Sequence, residues 1–275
     1  MKDKHSFLQH NADRRECFIL QNVLITGGTS GIGYNLAKEF ARRGFDLILV
    51  SSNQENLSTA QQQLATSFNC KVITIQQDLS QIGSAKRLVK VLKENKLKVN
   101  ILINNAGFGL VDRTEQIDYL EDEKLMILNT ISLVQLCKLL LPEMYQNKSG
   151  KILNVASTGA FQPGPYTSTY FASKAFVLSY SKAIRIEARK RGVQVCTLCP
   201  GPTRTNFFFR ERTETPSNSM SAEAVAQIAV QGLMKNKNVI VPGKLNRIMQ
   251  LATEAIKTKF VANMKRNEVI KRSTE

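Results

Sequence analysis

The sequence predicts an α/β fold of the doubly wound class, a parallel sheet of about seven strands with helices on both faces, and three observations carry that prediction. Short apolar, β-branched runs alternate with longer stretches of helical periodicity. A glycine-rich turn, Thr26-Gly27-Gly28-Thr29-Ser30-Gly31-Ile32-Gly33, joins the first run to the first helical stretch. Gly27, Asn104, Ser157 and Pro200 each fall at or just past a strand end, which gathers them on one edge of such a sheet.

Taken in order, residues 22–26, 46–51, 71–76, 100–104, 151–155, 193–199 and 239–241 read as strands. Residues 34–43, 54–68, 84–95, 119–147, 169–191 and 222–235 read as the helices between them. Strands this short and this continuously apolar are buried on both faces, as parallel strands with helical crossovers are. Gly192 stands at the C-cap of the 169–191 helix, where Arg189, Lys190 and Arg191 complement the negative helix end.

At 275 residues, 43% of them hydrophobic, the chain fits one large domain over residues 19–243, with a polar extension over 1–18 and an amphipathic, basic helix or tail over 244–275. No stretch reaches the roughly 18 uninterrupted apolar residues of a membrane span. The nearest, residues 125–141, is broken by Asn129, Ser132, Gln135 and Lys138 and reads as a buried helix. Residues 1–16 lack the apolar segment of a secretory signal. The cysteines, Cys17, Cys70, Cys137, Cys196 and Cys199, are odd in number and lie mostly in apolar runs, which predicts reduced thiols and a cytoplasmic location. Cys196 and Cys199 share a C-x-x-C spacing, but within a strand they face opposite sides, so no metal site is expected. The net charge of +16 suits an anionic ligand; without a basic stripe interleaved with aromatics it gives no reason to expect nucleic acid.

The turn has the form T-G-x-x-x-G-x-G. Gly27 permits the tight turn, Gly31 lets backbone approach a pyrophosphate and Gly33 allows close helix packing, while Thr29, Ser30 and Ile32 offer backbone and hydroxyl contacts. Further on, Ser157 precedes Tyr170 by thirteen residues, and Lys174 follows one helical turn later on the same face. A phenol near its ordinary pKa of about 10 is a poor acid–base group at neutral pH, but an adjacent ammonium favours the phenolate.

The ordered set formed by this turn, Asn104-Asn105-Ala106-Gly107, Asn129, Ser157, Tyr170-Phe171-Ala172-Ser173-Lys174 and Pro200-Gly201 closely resembles the short-chain dehydrogenase/reductase family in its compact form, over residues 22–243. The resemblance implies a Rossmann-type fold and an NAD(P)-dependent oxidoreductase acting between carbonyl and alcohol. It implies Tyr170 as general acid and base, Ser157 as the group holding the carbonyl oxygen, Lys174 also gripping the nicotinamide ribose, and Asn129 anchoring a relay water. It further implies cofactor contacts at Asp78 and Leu79 near the adenine, at Asn104, Asn105, Ala106 and Gly107 after the fourth strand, and at Thr203 beside the carboxamide, with Thr205 a weaker candidate. Pro200 and Gly201 shape the last turn. Asp78 could instead be a helix cap with Leu79 in the core, and Asn129 an amide capping a helix irregularity.

Cofactor choice turns on the end of the second strand, Val50-Ser51-Ser52-Asn53. No acid stands there to repel a 2′-phosphate, and Ser52 and Asn53 can hydrogen-bond one, which favours NADP(H) over NAD(H), although neither residue nor Ser30 brings positive charge. The irregular segment 201–221 matches the family's substrate lid; its Phe207, Phe208 and Phe209 either line an apolar pocket or pack the lid down. From Leu245, the positions Ile248, Met249, Ala252, Ala255, Ile256 and Phe260 follow helical spacing, with lysines and arginines late. This reads as a core-docking or subunit-contact helix with a basic solvated tail, and a membrane-surface helix is the less favoured alternative. The resemblance also implies a homodimer or homotetramer. The expected partner is a small carbonyl or alcohol, with apolar character if the three phenylalanines line the pocket; a cofactor-sensing scaffold without turnover is the competing reading. A serine hydrolase is excluded, because His5 and His10 are the only histidines and no G-x-S-x-G occurs.

Overall fold

The computed structural model describes residues 21–207 and 215–273. Its first strand, β1 (Asn22–Thr26), pairs in parallel with β2 (Asp46–Ser51) and with β4 (Ile101–Asn104), so that Val23 faces Leu47 on one side and Ile101 on the other. Outward from this centre lie β3 (Val72–Gln76), β5 (Gly150–Val155) and β6 (Val193–Leu198). A separate two-residue ribbon pairs β7 (Thr203–Arg204) with β8 (Met220–Ser221), and β9 (Val239–Ile240) closes the main sheet. The strand order is β3-β2-β1-β4-β5-β6-β9, all parallel, with the order reversing between β1 and β4.

Strand alternation divides the core in two. Leu24, Ile48, Leu102 and Ile152 pack against α3 (Ser84–Glu94), α5 (Leu133–Gln146) and α6 (Ser168–Arg189). Val23, Ile25, Leu47 and Ile103 pack against α1 (Gly31–Arg42), α2 (Gln54–Ser67) and α7 (Ala222–Met234). Cys196 and Cys199 fall in opposite layers. Gly192 has φ +78°, and a Cβ there would lie 2.4 Å from the Lys148 carbonyl oxygen, so the helix–strand turn requires glycine on both counts.

The structure departs from the expected elements in three ways. The 119–147 helix is interrupted: α4 (Tyr119–Met126) passes through a π-helical turn, Ile127–Ser132, into α5. The C-terminal segment is two helices, α8 (Lys244–Met249) and α9 (Glu254–Ser273). The Ile256 N–H donates to Thr253 Oγ1, and Glu254 stands in the first turn of α9, so a helix start replaces continuation. The β7–β8 ribbon, at two residues per strand, is too short to leave a periodic signal.

Candidate active site

The strand ends open into a cavity of about 790 Å³ at the carboxyl edge of the sheet, a size within the usual range of small-molecule sites. Its floor is the glycine turn. Gly27 and Gly31 have φ of +63° and +52°, and the Gly27 N–H donates to the Val50 carbonyl at 2.8 Å. A Cβ on Gly33 would lie 2.1 Å from the Gly27 carbonyl oxygen, so the turn and α1 meet backbone to backbone. Ser30 is the N-cap of α1, yet its hydroxyl makes no capping bond and the first turn carries no acid. The leading N–H groups of α1 therefore remain open to an anion, and Thr29, Ser30, Gly31 and Ile32 all line the cavity.

Asn105 fastens this floor from below. Its Nδ2 donates to the Thr26 and Gly27 carbonyls, both at 3.0 Å, while the backbone N–H groups of Asn105 and Ala106 donate to Thr26 Oγ1 at 3.0 Å. Asn105, Ala106 and Gly107 line the cavity. Asn104 does not: its Nδ2 donates to Asn154 Oδ1 at 2.9 Å and it is buried against the α5 layer, because strand alternation turns it away from its neighbour.

At the far end, Thr29 Oγ1 donates to Ser51 Oγ at 3.4 Å, and Asn53 Oδ1 accepts from the Asn56 N–H at 2.8 Å, capping α2. Ser52 and Asn53 line the cavity, as do Asp78 and Leu79. Asp78 Oδ1 accepts from the Ser80 N–H at 2.9 Å and from its hydroxyl at 2.7 Å. It braces a turn instead of capping α3, whose N-cap is Gly83. Leu79 is buried in the core while bordering the cavity. Among the described residues, no lysine or arginine lines this end.

The other end carries Ser157, Tyr170 and Lys174. Ser157 follows β5, its Oγ accepting from the Gly159 N–H at 3.0 Å, and the next N–H, of Thr158, donates to the Pro200 carbonyl at 2.8 Å. The ends of β5 and β6 are thus tied together. On α6, Lys174 is 4% exposed, with Nζ 5.7 Å from the centre of the Tyr170 ring and donating to the Val155 carbonyl at 3.0 Å. Burial pushes its pKa down to about 8, against an opposing upward pull from Cys199. The Tyr170 ring lies 5.5 Å from that of Phe207, centre to centre. Ser157, Tyr170, Lys174, Pro200, Gly201, Thr203, Thr205 and Phe207 border the same cavity as the glycine turn. Phe208 and Phe209 lie outside the described residues.

Asn129 sits in the π turn, buried behind the cavity wall. Its Nδ2 donates to the Phe108 carbonyl at 3.0 Å and to Ser173 Oγ at 3.1 Å, and its Oδ1 accepts from the Phe108 N–H at 3.2 Å. Ser173 Oγ in turn donates to the Tyr170 carbonyl at 2.7 Å. The amide thus clamps the loop after β4 to the helix bearing Tyr170. A Cβ on Gly107 would lie 2.8 Å from Asn129 Oδ1 and 3.3 Å from Lys174 Nζ, so only glycine leaves that corner open.

A whole wall escaped the sequence reading. Asn246, Met249, Phe260, Val261, Met264 and Lys265 of the C-terminal helices line the cavity. Asn246 packs on Gly201, where a Cβ would lie 2.4 Å from its Nδ2, and Lys257 Nζ donates to the Phe161 carbonyl at 3.1 Å. The buried stripe Val261, Lys265, Val269, spaced by four, was the available signal. A lysine in its middle, paired with Glu268 at 2.9 Å, hid it.

Comparison with known proteins gives the same outline. The family model described as short chain dehydrogenase matches residues 21–216. Very-long-chain 3-oxoacyl-CoA reductase-A of Danio rerio is 29% identical over 224 residues, covering 80% of this chain and 70% of the relative. A short-chain dehydrogenase from Sphingobium yanoikuyae in complex with NADPH is 31% identical with a TM-score of 0.78, over 88% of this chain and 96% of that one. The bulky-bulky ketone specific alcohol dehydrogenase from Comamonas testosteroni is 29% identical with a TM-score of 0.74, over 84% and 91%.

Proposed function

The chain belongs to the short-chain dehydrogenase/reductase family, enzymes acting on CH–OH and C=O groups, and on that premise we propose that it reduces an apolar ketone with NADPH, Tyr170 serving as the general acid. The observation that carries the reading is that Ser157, Tyr170 and Lys174 share one cavity with an uncapped α1 N-terminus.

The residues fit a dinucleotide. The α1 N–H groups and Gly31 would take the pyrophosphate, Ser52 and Asn53 the 2′-phosphate, Asp78 and Leu79 the adenine side, and Ala106, Gly107 and Thr203 the nicotinamide side. When bound, the dinucleotide supplies the hydride. Ser157 Oγ holds the carbonyl oxygen and stabilises the charge that grows on it. Tyr170 delivers a proton to that oxygen, and in the reverse direction accepts one. Lys174 lowers the cost of the phenolate left behind and would hold the ribose hydroxyls of a bound dinucleotide. Asn129 keeps the Tyr170 helix in register with the loop after β4, its amide engaged by Phe108 and Ser173.

NADP(H) over NAD(H) rests on the lack of an acid at Ser51-Ser52-Asn53 and on the NADPH complex of the Sphingobium relative. The apolar substrate rests on Phe207, Met249, Phe260 and Met264 in the cavity wall, and on relatives named for oxoacyl and bulky ketone substrates. A homodimer or homotetramer is consistent with exposed Ile131, Phe176 and Ile186 on the long helices, and the four free cysteines among the described residues, Cys70, Cys137, Cys196 and Cys199, support a cytoplasmic enzyme, Cys17 lying outside those residues. The test is NADPH oxidation by purified protein against ketones of increasing chain length. Turnover rising with length, and favouring NADPH over NADH, is expected. Dinucleotide binding without turnover of any carbonyl would overturn the reductase reading in favour of a sensing scaffold, and a tenfold NADH advantage, about 1.4 kcal/mol, would overturn the cofactor choice.

A further inference from the structure

The C-terminal helices dock with one face and leave another apolar face in water. Val261 and Val269 are buried and Met249 and Met264 border the cavity, yet Leu245, Ile248, Leu251, Ile256 and Phe260 are between 59 and 86% exposed. Five large apolar side chains within sixteen residues are exposed, Leu245 with Ile248 and Ile256 with Phe260 at spacings that share a helix face, where a soluble surface ordinarily scatters them singly. The patch is continuous with the site, because Leu245 and Phe260 line the cavity as well. Around it the charge is one-sided: Lys244, Arg247, Lys257, Lys259 and Arg266 stand against one acid, Glu254, while Lys265 is buried and paired with Glu268.

We propose that α8 and the first half of α9 dock on an anionic lipid bilayer, so that the substrate cavity opens at the membrane surface. Leu245, Ile248, Leu251, Ile256 and Phe260 enter the boundary between headgroups and acyl chains, and Lys244, Arg247 and Lys259 meet the lipid phosphates. The charge excess selects this occupant over a second copy of the chain. In a two-fold pairing the patch would meet itself, bringing its five remaining cations against five more around an apolar centre. A bilayer satisfies both halves at once, taking the apolar side chains and neutralising the bases. An apolar ketone dissolved in that bilayer would reach the Met249 and Phe260 wall without crossing water; this last step rests on the reductase reading, whereas the docking does not.

The experiment is co-sedimentation of the full chain with phosphatidylcholine vesicles and with vesicles mixing phosphatidylglycerol and phosphatidylcholine, at low and high salt. The full chain is expected to pellet with the mixed vesicles, at least tenfold more weakly with phosphatidylcholine alone, and to be released by salt. A variant combining Ile248→Glu, Leu251→Glu and Ile256→Glu, none of which lines the cavity, should stay in the supernatant while oxidising NADPH with a small soluble ketone at the unchanged rate. A second variant, Lys244→Gln with Arg247→Gln and Lys259→Gln, keeps the apolar side chains and should lose the preference for phosphatidylglycerol even if the first folds poorly. Equal pelleting of the wild type with both vesicle types, or none, overturns the proposal. So does a wild type that ignores vesicles and whose oligomer falls apart in the Glu variant, which would make the patch a subunit contact.

Discussion

On the side of the cavity formed by the strand ends, the wall is largely backbone: the Gly27–Gly33 turn, the N–H groups of α1, and carbonyls and amides fixed by Thr26, Asn105 and Pro200. Opposite, residues 203–207 and the two C-terminal helices present side chains: Phe207, Asn246, Met249, Phe260 and Lys265. A backbone wall tolerates few residues at each position, since a single Cβ at Gly33 meets a carbonyl at 2.1 Å. A side-chain wall can change shape by substitution while its helices stay docked. The first suits a ligand that is always the same, the second a substrate that distinguishes one relative from another.

The contrast breaks most sharply at the group between the walls. Lys174→Met should lower kcat/KM by about 10²- to 10⁴-fold, the span of general acid–base effects, because the ammonium that supports Tyr170 is gone. In the wild type, dinucleotide affinity should weaken as pH rises through about 8, where Lys174 loses its proton, and the Met variant should lose that dependence. The sign for stability is opposite. With a native pKa near 8 and an ordinary value of 10.5, the unfolded chain binds more protons between those limits, so this residue's burial penalty is fullest below about 8 and relieved above it. Thermal unfolding across that range in the wild type and the Met variant isolates the contribution.

Next in size, Gly33→Ala on the backbone wall should cost about 1–3 kcal/mol through overpacking, read as a lower Tm and at least a tenfold loss of dinucleotide affinity in calorimetry. A fully stable variant binding normally would mean that the turn yields and the wall is softer than described. Ser52→Asp, at the end without lysine or arginine, should reverse an NADPH preference toward NADH by about tenfold in kcat/KM, since the carboxylate repels a 2′-phosphate. Smallest is Lys257→Met on the side-chain wall: the bond to the Phe161 carbonyl is lost, and KM should rise severalfold with dinucleotide affinity unchanged.

The same division governs what the sequence made legible. Alternating apolar runs such as Val23-Leu24-Ile25 mark strands buried on both faces, and those seven strands stand in the sheet within one or two residues of expectation. Gly27, Gly31 and Gly33 were readable because backbone geometry allows little else there. Tyr170 and Lys174 were readable because helical spacing puts them on one face. Asn104 misled because residues adjacent in a strand point opposite ways, and only the fold decides which one meets the cavity. The π turn around Asn129 leaves no periodic trace over six residues. The C-terminal wall was hidden because Lys265 and Glu268 pair inside it, breaking the apolar stripe, while Ile248 and Ile256, which looked like core positions, are exposed.

The account stands on Tyr170 giving up its proton in the cavity that holds the dinucleotide, and one paired measurement reaches it: NADPH affinity by calorimetry and ketone turnover by NADPH oxidation, in the wild type and in Tyr170→Phe. Binding within about twofold and turnover reduced at least 10²-fold is the predicted result. Turnover that survives the loss of the hydroxyl would contradict it.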